Sequence, residues 1–510
     1  MRTTIHDIFI LFFACAMAMT ANAQQHPESP EGAVLARQYC SSCHLFPDPS
    51  LLDKNTWKTN VLPNMGWRLG VRKAGDNPFE GMKEDEHQRV AALNVFPERQ
   101  MISSDNWKKI VNYFVQQAPE KPIPSQPLST YHRDLTMFHG EPLFIGENQT
   151  PQTTLVKFDT IHSLLYIGDA QNEMYVIGQG PQLLADWQTV SPPVDMIFSK
   201  YSSPKMMCIG SLLPSEEKSG TISYLDSLLT PEQTATSIGN LGRPVNMNEV
   251  DINGDGVKDL LLCQFGNFTG KLSWFDHGEP KKEHIIKLQA GARKAEVCDM
   301  NGDGKPDIVV LFAQARESIS LFENKGDGTF TEKILMQFPP VQGSTYLEVH
   351  DFNADGHPDI LMSSGDNWDL SDIHKRFHGV RIFMNDGKNN FSEKLFFPLY
   401  GASKAMARDF DKDGDLDIAA ISFHDDPEKP EDGFVYLENT GNMHFTPHVT
   451  PDARNGKWLT MDVADIDKDG DDDVILGSYF HAFSEVAKLM VKGVEQFPQV
   501  IILRNNHNQK

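Results

Sequence analysis

Short apolar runs recur along the second half of the chain, each preceded by a stretch rich in aspartate and glycine. Residues 260–263, 308–312, 360–362, 418–421 and 474–476 are too short for helices and bounded by turn formers, which predicts buried strands. Weaker runs lie ahead of them. Residues 153–158, 164–168 and 174–178 predict three strands, and 194–199, 205–212 and 220–225 predict three more. Residues 24–118 follow a helical rhythm instead. Residues 31–39 read as a helix, and a second helix, capped by Ser103 or Ser104, carries Trp107, Ile110, Val111, Phe114 and Val115 on one face. Residues 118–129 contain Pro119, Pro122, Pro124 and Pro127 and predict an extended, semi-rigid linker. The expected organisation is a leader over 1–23, a small all-α domain over 24–118, a linker over 119–129 and a mainly β domain over 130–510.

The stretch before each strong run is a nine-residue loop written five times, from Asp251, Asp299, Asp351, Asp409 and Asp465. Positions one, three, five and nine bear side-chain oxygens. They are Asp251, Asn253, Asp255 and Asp259; Asp299, Asn301, Asp303 and Asp307; Asp351, Asn353, Asp355 and Asp359. The last two sets are Asp409, Asp411, Asp413 and Asp417, and Asp465, Asp467, Asp469 and Asp473. Position six is glycine, and position seven (Val257, Lys305, His357, Asp415, Asp471) adds a main-chain carbonyl. Alternate oxygens on a tight turn suit calcium, which takes roughly six to eight oxygen ligands in flexible geometry. Carboxylates this close repel one another without a cation between them. About five calcium ions are expected, one per loop. A helix–loop–helix calcium site would need Glu at position twelve, where this chain has Leu262, Val310, Met362, Ala420 and Leu476. The loop therefore joins two strands.

This pattern resembles the FG-GAP or VCBS repeat of calcium-bearing β-propellers, across roughly residues 245–505. The resemblance implies blades of four strands, and the loop spacing of 48 to 58 residues is in the range of such repeats. Five marked blades and two degenerate ones make seven. The last blade lacks an outermost strand, so a segment within 135–145 is expected to supply it and close the ring, which removes the open sheet edge.

The net charge of −24 argues against a nucleic-acid partner, which needs basic surface. The five loops hold 20 of the 70 acidic residues, so the acidity is mainly a metal signature. Arg2, an apolar stretch over 8–19 and Ala21-Asn22-Ala23 form a secretory leader with a small-x-small cleavage site. Cys15 is an alternative lipid-attachment site, and no later segment is apolar enough to span a membrane. The expected location is the periplasm, the cell surface or the outside medium. Cys208, Cys263 and Cys298 sit in or beside apolar runs and read as buried thiols.

The remaining cysteines carry chemistry. Cys40-Ser41-Ser42-Cys43-His44 is the attachment motif for c-type haem: two thiols form thioethers, and the adjacent imidazole meets the iron. A redox CxxC would want a βαβ context, and no second cysteine pair exists to complete a zinc tetrahedron. With the aromatic helix that follows, the segment resembles a class I cytochrome c and implies one haem with a Met as sixth ligand. Met65, bracketed by Pro63 and Gly66, is the first choice; Met101 and Met82 are the alternatives. Pro63 and Gly66 are expected to break a helix begun near Asp53.

Loops in an antiparallel blade alternate between the two faces of the disk. The nonapeptides occupy one face, so connections between second and third strands, and between blades, occupy the other. Long insertions fall there: 363–379 with Trp368, His374, Arg376 and His378, 422–433 with His424, and 478–499 with Tyr479 and His481. Arg243, Arg293, Lys294, Lys404 and Lys457 at the starts of blades are expected to add positive charge to that face, for an anionic ligand or the haem propionates.

Resemblance to exported cytochrome–propeller fusions implies single-electron relay by the haem and binding of a carbohydrate, other organic substrate or redox protein by the propeller. Alternatives are a docking or adhesion module and a polysaccharide lyase or related enzyme. Fold alone does not choose among them.

Overall fold

The computed structural model describes residues 30–507 apart from 126–130, 134, 147–149, 179, 230–235, 368–369, 372 and 424–428. The leader, with Cys15, and the side chains of Trp368 and His424 lie outside the described residues. No helix among the described residues is long and apolar enough to cross a membrane.

Seven four-stranded antiparallel sheets form a β-propeller. Blades 1 to 6 span 153–188, 193–241, 244–287, 292–337, 344–398 and 402–448. Blade 7 takes Trp458–Ala464, Asp473–Ser478 and Val500–Asn505 from the chain's end, and Phe138–Leu143 from ahead of blade 1. The closing strand lies within the expected segment. Just before it, His132 bonds along the outer edge of blade 6, donating its N–H to Pro447 O at 3.0 Å and accepting from Val449 N at 2.9 Å.

Burial explains the sequence rhythm. The second strands Asp259–Gln264, Asp307–Phe312, Asp359–Ser364, Asp417–Ser422 and Asp473–Ser478 are buried at every position, sandwiched between neighbouring blades. Continuous apolar runs follow from that. Outer strands such as Leu183–Gln188 are mostly exposed, and this one and Thr236–Leu241 escape the apolar pattern.

Every innermost strand bulges at its second residue: Thr154, Val194, Val245, Arg293, Thr345, Ser403 and Leu459. A bulge re-aims the side chain and sharpens the local twist. Four of these residues reach the next blade: Thr154 Oγ1 donates to Pro193 O at 2.7 Å and Thr345 Oγ1 to Ala402 O at 2.8 Å. Ser403 Oγ donates to Trp458 O at 3.1 Å, and Arg293 Nε to Thr345 O at 3.1 Å.

The N-terminal domain is helical. Helices Pro30–Cys40 and Ser104–Gln117 cross at Gly32, where an added Cβ would stand 2.7 Å from Lys109 O. Ser103 Oγ caps the second, accepting from Asn106 N at 3.2 Å. Leu52, Trp57, Leu62, Ile110 and Phe114 form the core. The expected break at Pro63 does not occur, and the helical stretch continues through Leu62–Arg68. A π-type turn, Trp57–Val61, precedes it, with Leu62 N–H bonded to Trp57 O. That widened turn and the lost proline donor fit together, since Pro63 sits in the first turn of the segment that follows, where a missing N–H is tolerated.

This domain docks on the propeller face opposite the nonapeptides, over loops of blades 2 to 5. Glu86 Oε1 accepts from Ser215 Oγ at 2.8 Å and Glu216 N at 2.7 Å, and Arg89 Nη2 donates to Glu216 O at 2.9 Å. Phe96 meets Phe268 edge-on at 5.6 Å. Asn60 Nδ2 donates to Leu370 O at 3.1 Å, and Val341, Leu370 and Ile373 pack against the helical core.

Candidate functional site

The first helix ends at Cys40, and Cys43 and His44 follow in the turn beyond it. Both cysteines are free thiols. Burial, with Cys43 adding to it, pushes the Cys40 thiol up to about 11. Dithiol exchange is favoured by a thiolate of lowered pKa, and the Cys40 thiol is shifted the opposite way. His44 Nδ1 lies 2.9 Å from Leu45 O and must donate to it, which leaves Nε2 as the free lone pair. Burial, followed by the positive charges of Arg68 and Arg316, holds this imidazole below its usual range. A neutral ring with one orientated lone pair is what a metal ligand requires.

Met65 lies within the helix Leu62–Arg68 and packs against the domain core. Its neighbour Gly66 abuts the Trp107 indole, where a Cβ would stand 3.3 Å away. Met101 is 61% exposed. Cys40, Cys43 and His44 are the groups of the motif that could hold a c-type haem; among the candidate thioethers Met65 and Met82 are half-buried and Met101 is exposed.

The nonapeptides all join first to second strands, on the face away from the helical domain. Position nine has a structural task in each. Asp359 Oδ2 accepts from Phe352 N at 3.0 Å and Oδ1 from Asn385 N at 2.8 Å, so it ties its own loop to the end of the third strand. Asp307 does the same with Met300 N and Asn324 N, and Asp473 with Ile466 N and Asn505 N. The asparagines close the latch: Asn324 Nδ2 donates to Ile252 O at 2.9 Å, and Asn505 Nδ2 to Phe410 O at 2.8 Å. Residue-type reasoning missed them, although Asn324, Asn385 and Asn439 each stand two residues before Gly in a repeated aromatic turn.

Position one separates the loops into two kinds. Asp251, Asp299 and Asp351 use both carboxylate oxygens on loop N–H groups. Asp409 Oδ1 and Asp465 Oδ1 are buried with no hydrogen-bond partner. Around them, Asp409, Asp411 and Asp413, and Asp465, Asp467 and Asp469, bring carboxylate oxygens within 4.8 Å of one another. Burial pushes Asp417 up to about 7 and Asp473 to about 6, a cost that a cation, if bound, would offset. Oxygen-only donors with orphaned buried atoms fit a hard cation such as calcium.

The blade-leading cations are not gathered on the open face. Arg243 donates to Ser211 O, Leu212 O and Gly266 O, and Arg293 to Thr345 O. Lys457 pairs with Glu485 at 2.6 Å beside Phe423. Lys294 lines a cavity of about 560 Å³ together with Lys157, Glu296, Tyr346, Glu348, Arg408 and Asp462, and Lys404 is buried beside it, its Nζ donating to Met461 O at 2.7 Å. The Lys294 and Lys404 ammonium groups lie 5.4 and 4.6 Å from the Tyr346 ring centre, and burial lowers Lys404 to about 8. The residue after the bulge is polar in blades 2 to 7 (Asp195, Asn246, Lys294, Tyr346, Lys404 and Thr460), whereas in blade 1 it is Leu155, packed in the core.

The predicted histidines are held by aromatic packing. His374 stacks on Tyr400 at 4.2 Å, and buried His378 stacks on the same ring at 5.8 Å. Tyr400 OH accepts from Asn367 Nδ2 at 2.7 Å. His481 lies 5.1 Å from both Phe423 and Tyr479, and Arg376 is exposed.

Segments 251–310, 299–362 and 409–476 match the family model for the FG-GAP-like repeat, and together they contain all five nonapeptides. The chain carries FG-GAP repeats. They form blades 3 to 7 of the propeller, while blades 1 and 2 share the architecture without the loop. The curated proteins give no match. Among solved structures, the N-terminal domain of Nup159 is 12% identical, with TM-score 0.42 over 74% of this chain and 99% of that one. The Neurospora crassa Pan2 WD40 domain is 13% identical, with TM-score 0.43 over 73% of this chain and 96% of that one.

Proposed function

We propose that this protein is an exported electron carrier: a c-type haem held by Cys40, Cys43, His44 and Met65, docked on an FG-GAP propeller whose loops bind calcium. The observation that carries the reading is the His44 environment. Its Nδ1 is used on Leu45 O, two thiols stand beside it, and Met65 is packed into the same small helical domain. Haem with His and Met ligation carries single electrons and leaves no iron position open for substrate. The chain's own part is to attach the group, exclude water around it and fix it against the propeller. The propeller supplies the partner-binding surface, for a redox protein or for an organic or carbohydrate donor.

The test uses the full chain produced in a host that matures c-type cytochromes. Attached haem is read by mass and by its pyridine spectrum, and the oxidised protein is then mixed with candidate donors. Covalent haem that is reduced by a donor supports the relay. Wild-type protein without attached haem removes the reading.

A second reading, a docking module, has its own observation. The short helix Phe483–Val491, between the second and third strands of blade 7, buries Val486 and Leu489 but leaves Phe483, Met490 and Val491 exposed, the last at 86%. An apolar tip on an otherwise acidic protein suits a protein partner. Loss of partner capture in Val491→Asp with haem reduction unchanged would assign docking to this helix.

A further inference from the structure

The propeller places a positive charge beside the attachment motif. The loop between Asp307–Phe312 and Ser318–Asn324 of blade 4 turns through Ala315, whose φ of 50° lies in the left-handed region that non-glycine residues rarely adopt. Arg316 follows, and its Nε donates to Cys43 O at 2.6 Å. The base of the loop is fixed. Glu317, 3% exposed, accepts from Gly343 N at 3.1 Å, Ser344 N at 3.0 Å and Ser344 Oγ at 2.7 Å. Val341, on that same connection into blade 5, packs on the helical core.

A second guanidinium comes from the helical domain and is also held by the propeller. Arg68 sits 5.4 Å from the Phe96 ring centre and 5.2 Å from that of Phe268, a residue of blade 3. The attachment turn is thus tied to blade 4 through Arg316, and the helical domain that carries it is held to blade 3 through Arg68.

We infer that Arg316 is a positioning residue through which the propeller raises the reduction potential of the haem. The inference rests on the haem reading above. Oxidised haem iron carries one more positive charge than reduced iron, so a fixed cation nearby disfavours the oxidised form. Arg316 is exposed, so solvent and salt screen part of the effect and the shift should be larger at low ionic strength. The Nε bond to Cys43 O has a further consequence: it anchors the attachment turn to blade 4, so the propeller is structurally part of the redox centre.

The experiment compares wild-type full-length protein with Arg316→Gln and Arg316→Lys. Haem attachment is measured first, by mass, and the midpoint potential by spectroscopic titration. The expected result is one attached haem in all three, a lower midpoint in Arg316→Gln, and a midpoint near wild type in Arg316→Lys. Arg316 is exposed, and Arg316→Ser serves as a second neutral variant if Arg316→Gln does not accumulate. Haem attached but an unmoved or raised midpoint in the neutral variants overturns the role of Arg316 and leaves the haem reading standing. An equal fall in Arg316→Lys also overturns it, because charge would not be the cause. No attached haem in the wild type overturns both.

Discussion

Phe138 lies opposite Asn505 in the last blade, so a residue ahead of blade 1 pairs with one at the chain's far end. Gly140 is the tightest point of that closing strand. Its N–H donates to Asp452 Oδ2 at 2.7 Å, and a Cβ there would stand 2.6 Å from Asp452 Cβ. Gly140→Val should cost about 2–4 kcal/mol, from overpacking and a lost charge-assisted hydrogen bond. A lower denaturant midpoint by β-sheet circular dichroism is the expected result. Refolding should slow as well if closure precedes the transition state, since this contact spans nearly the whole domain.

Glu317 gives a pH signature. Burial pushes its carboxyl up to about 7, against three hydrogen bonds that favour the charged form. The folded pKa is above the unfolded one, so the folded state binds more protons between about 4.5 and 7. Its contribution to stability is fully present below about 4.5 and is lost as pH rises to about 7, by about 3 kcal/mol in all. Glu317→Gln does not titrate. The stability difference between variant and wild type should therefore move in the variant's favour from pH 4.5 to 7, and denaturant unfolding at several pH values checks it. A pH-independent difference would show that Glu317 stays ionised in the folded protein.

The parts of the fold legible in the sequence are those where burial writes a pattern. Second strands such as Asp307–Phe312 are covered on both faces and stand out as unbroken apolar runs. The missing outer strand of blade 7 was legible from connectivity, because an open edge has to be paired. The strand Leu183–Gln188 was not, since an exposed outer strand needs few apolar residues. The helix Phe483–Val491 hid inside a loop insertion for want of a long amphipathic stripe. In the proposed haem site, Cys40, Cys43 and His44 are local in sequence and form a motif that can be read there. Arg316 is not: it reaches Cys43 across the domain interface, and nothing near it in sequence points to that contact. Lys294 and Lys404 were seen as blade-leading cations but assigned to the open face, because the bulge that precedes each has no sequence mark.

Calcium removal should act unevenly across the five loops. Asp409 Oδ1 and Asp465 Oδ1 have no hydrogen-bond partner, whereas Asp251, Asp299 and Asp351 already bond loop N–H groups with both oxygens. A cation at 100 times its Kd adds about 2.7 kcal/mol per site. Chelation should lower the melting temperature and leave the haem spectrum unchanged, because the loops lie on the face opposite the helical domain. Asp409→Asn with Asp465→Asn should remove more of the chelator-sensitive stability than Asp251→Asn with Asp299→Asn. Equal losses from the two pairs, read by calorimetry with and without chelator, would show that the orphaned oxygens do not decide affinity.

If the helical domain holds haem as proposed, Met65 and Met101 can be told apart as sixth ligand by their surroundings. Met65 is partly buried and packs against the core of the helical domain, next to Gly66, while Met101 is 61% exposed and its backbone N–H bonds Leu69 O at 2.9 Å. A thioether bound to iron raises the reduction potential and gives a sulfur-to-iron charge-transfer band in the oxidised protein. Met65→Ala should lose that band and shift the midpoint lower, and because the side chain is only partly buried it should cost about 1 kcal/mol of domain stability. Met101→Ala should keep both the band and the midpoint, with stability within about 0.5 kcal/mol of wild type, as for an exposed side chain. Retention of the band in Met65→Ala together with its loss in Met101→Ala would reverse the assignment. It would also require the turn after Leu69 to move, since the exposed Met101 thioether does not face the core that Met65 packs against.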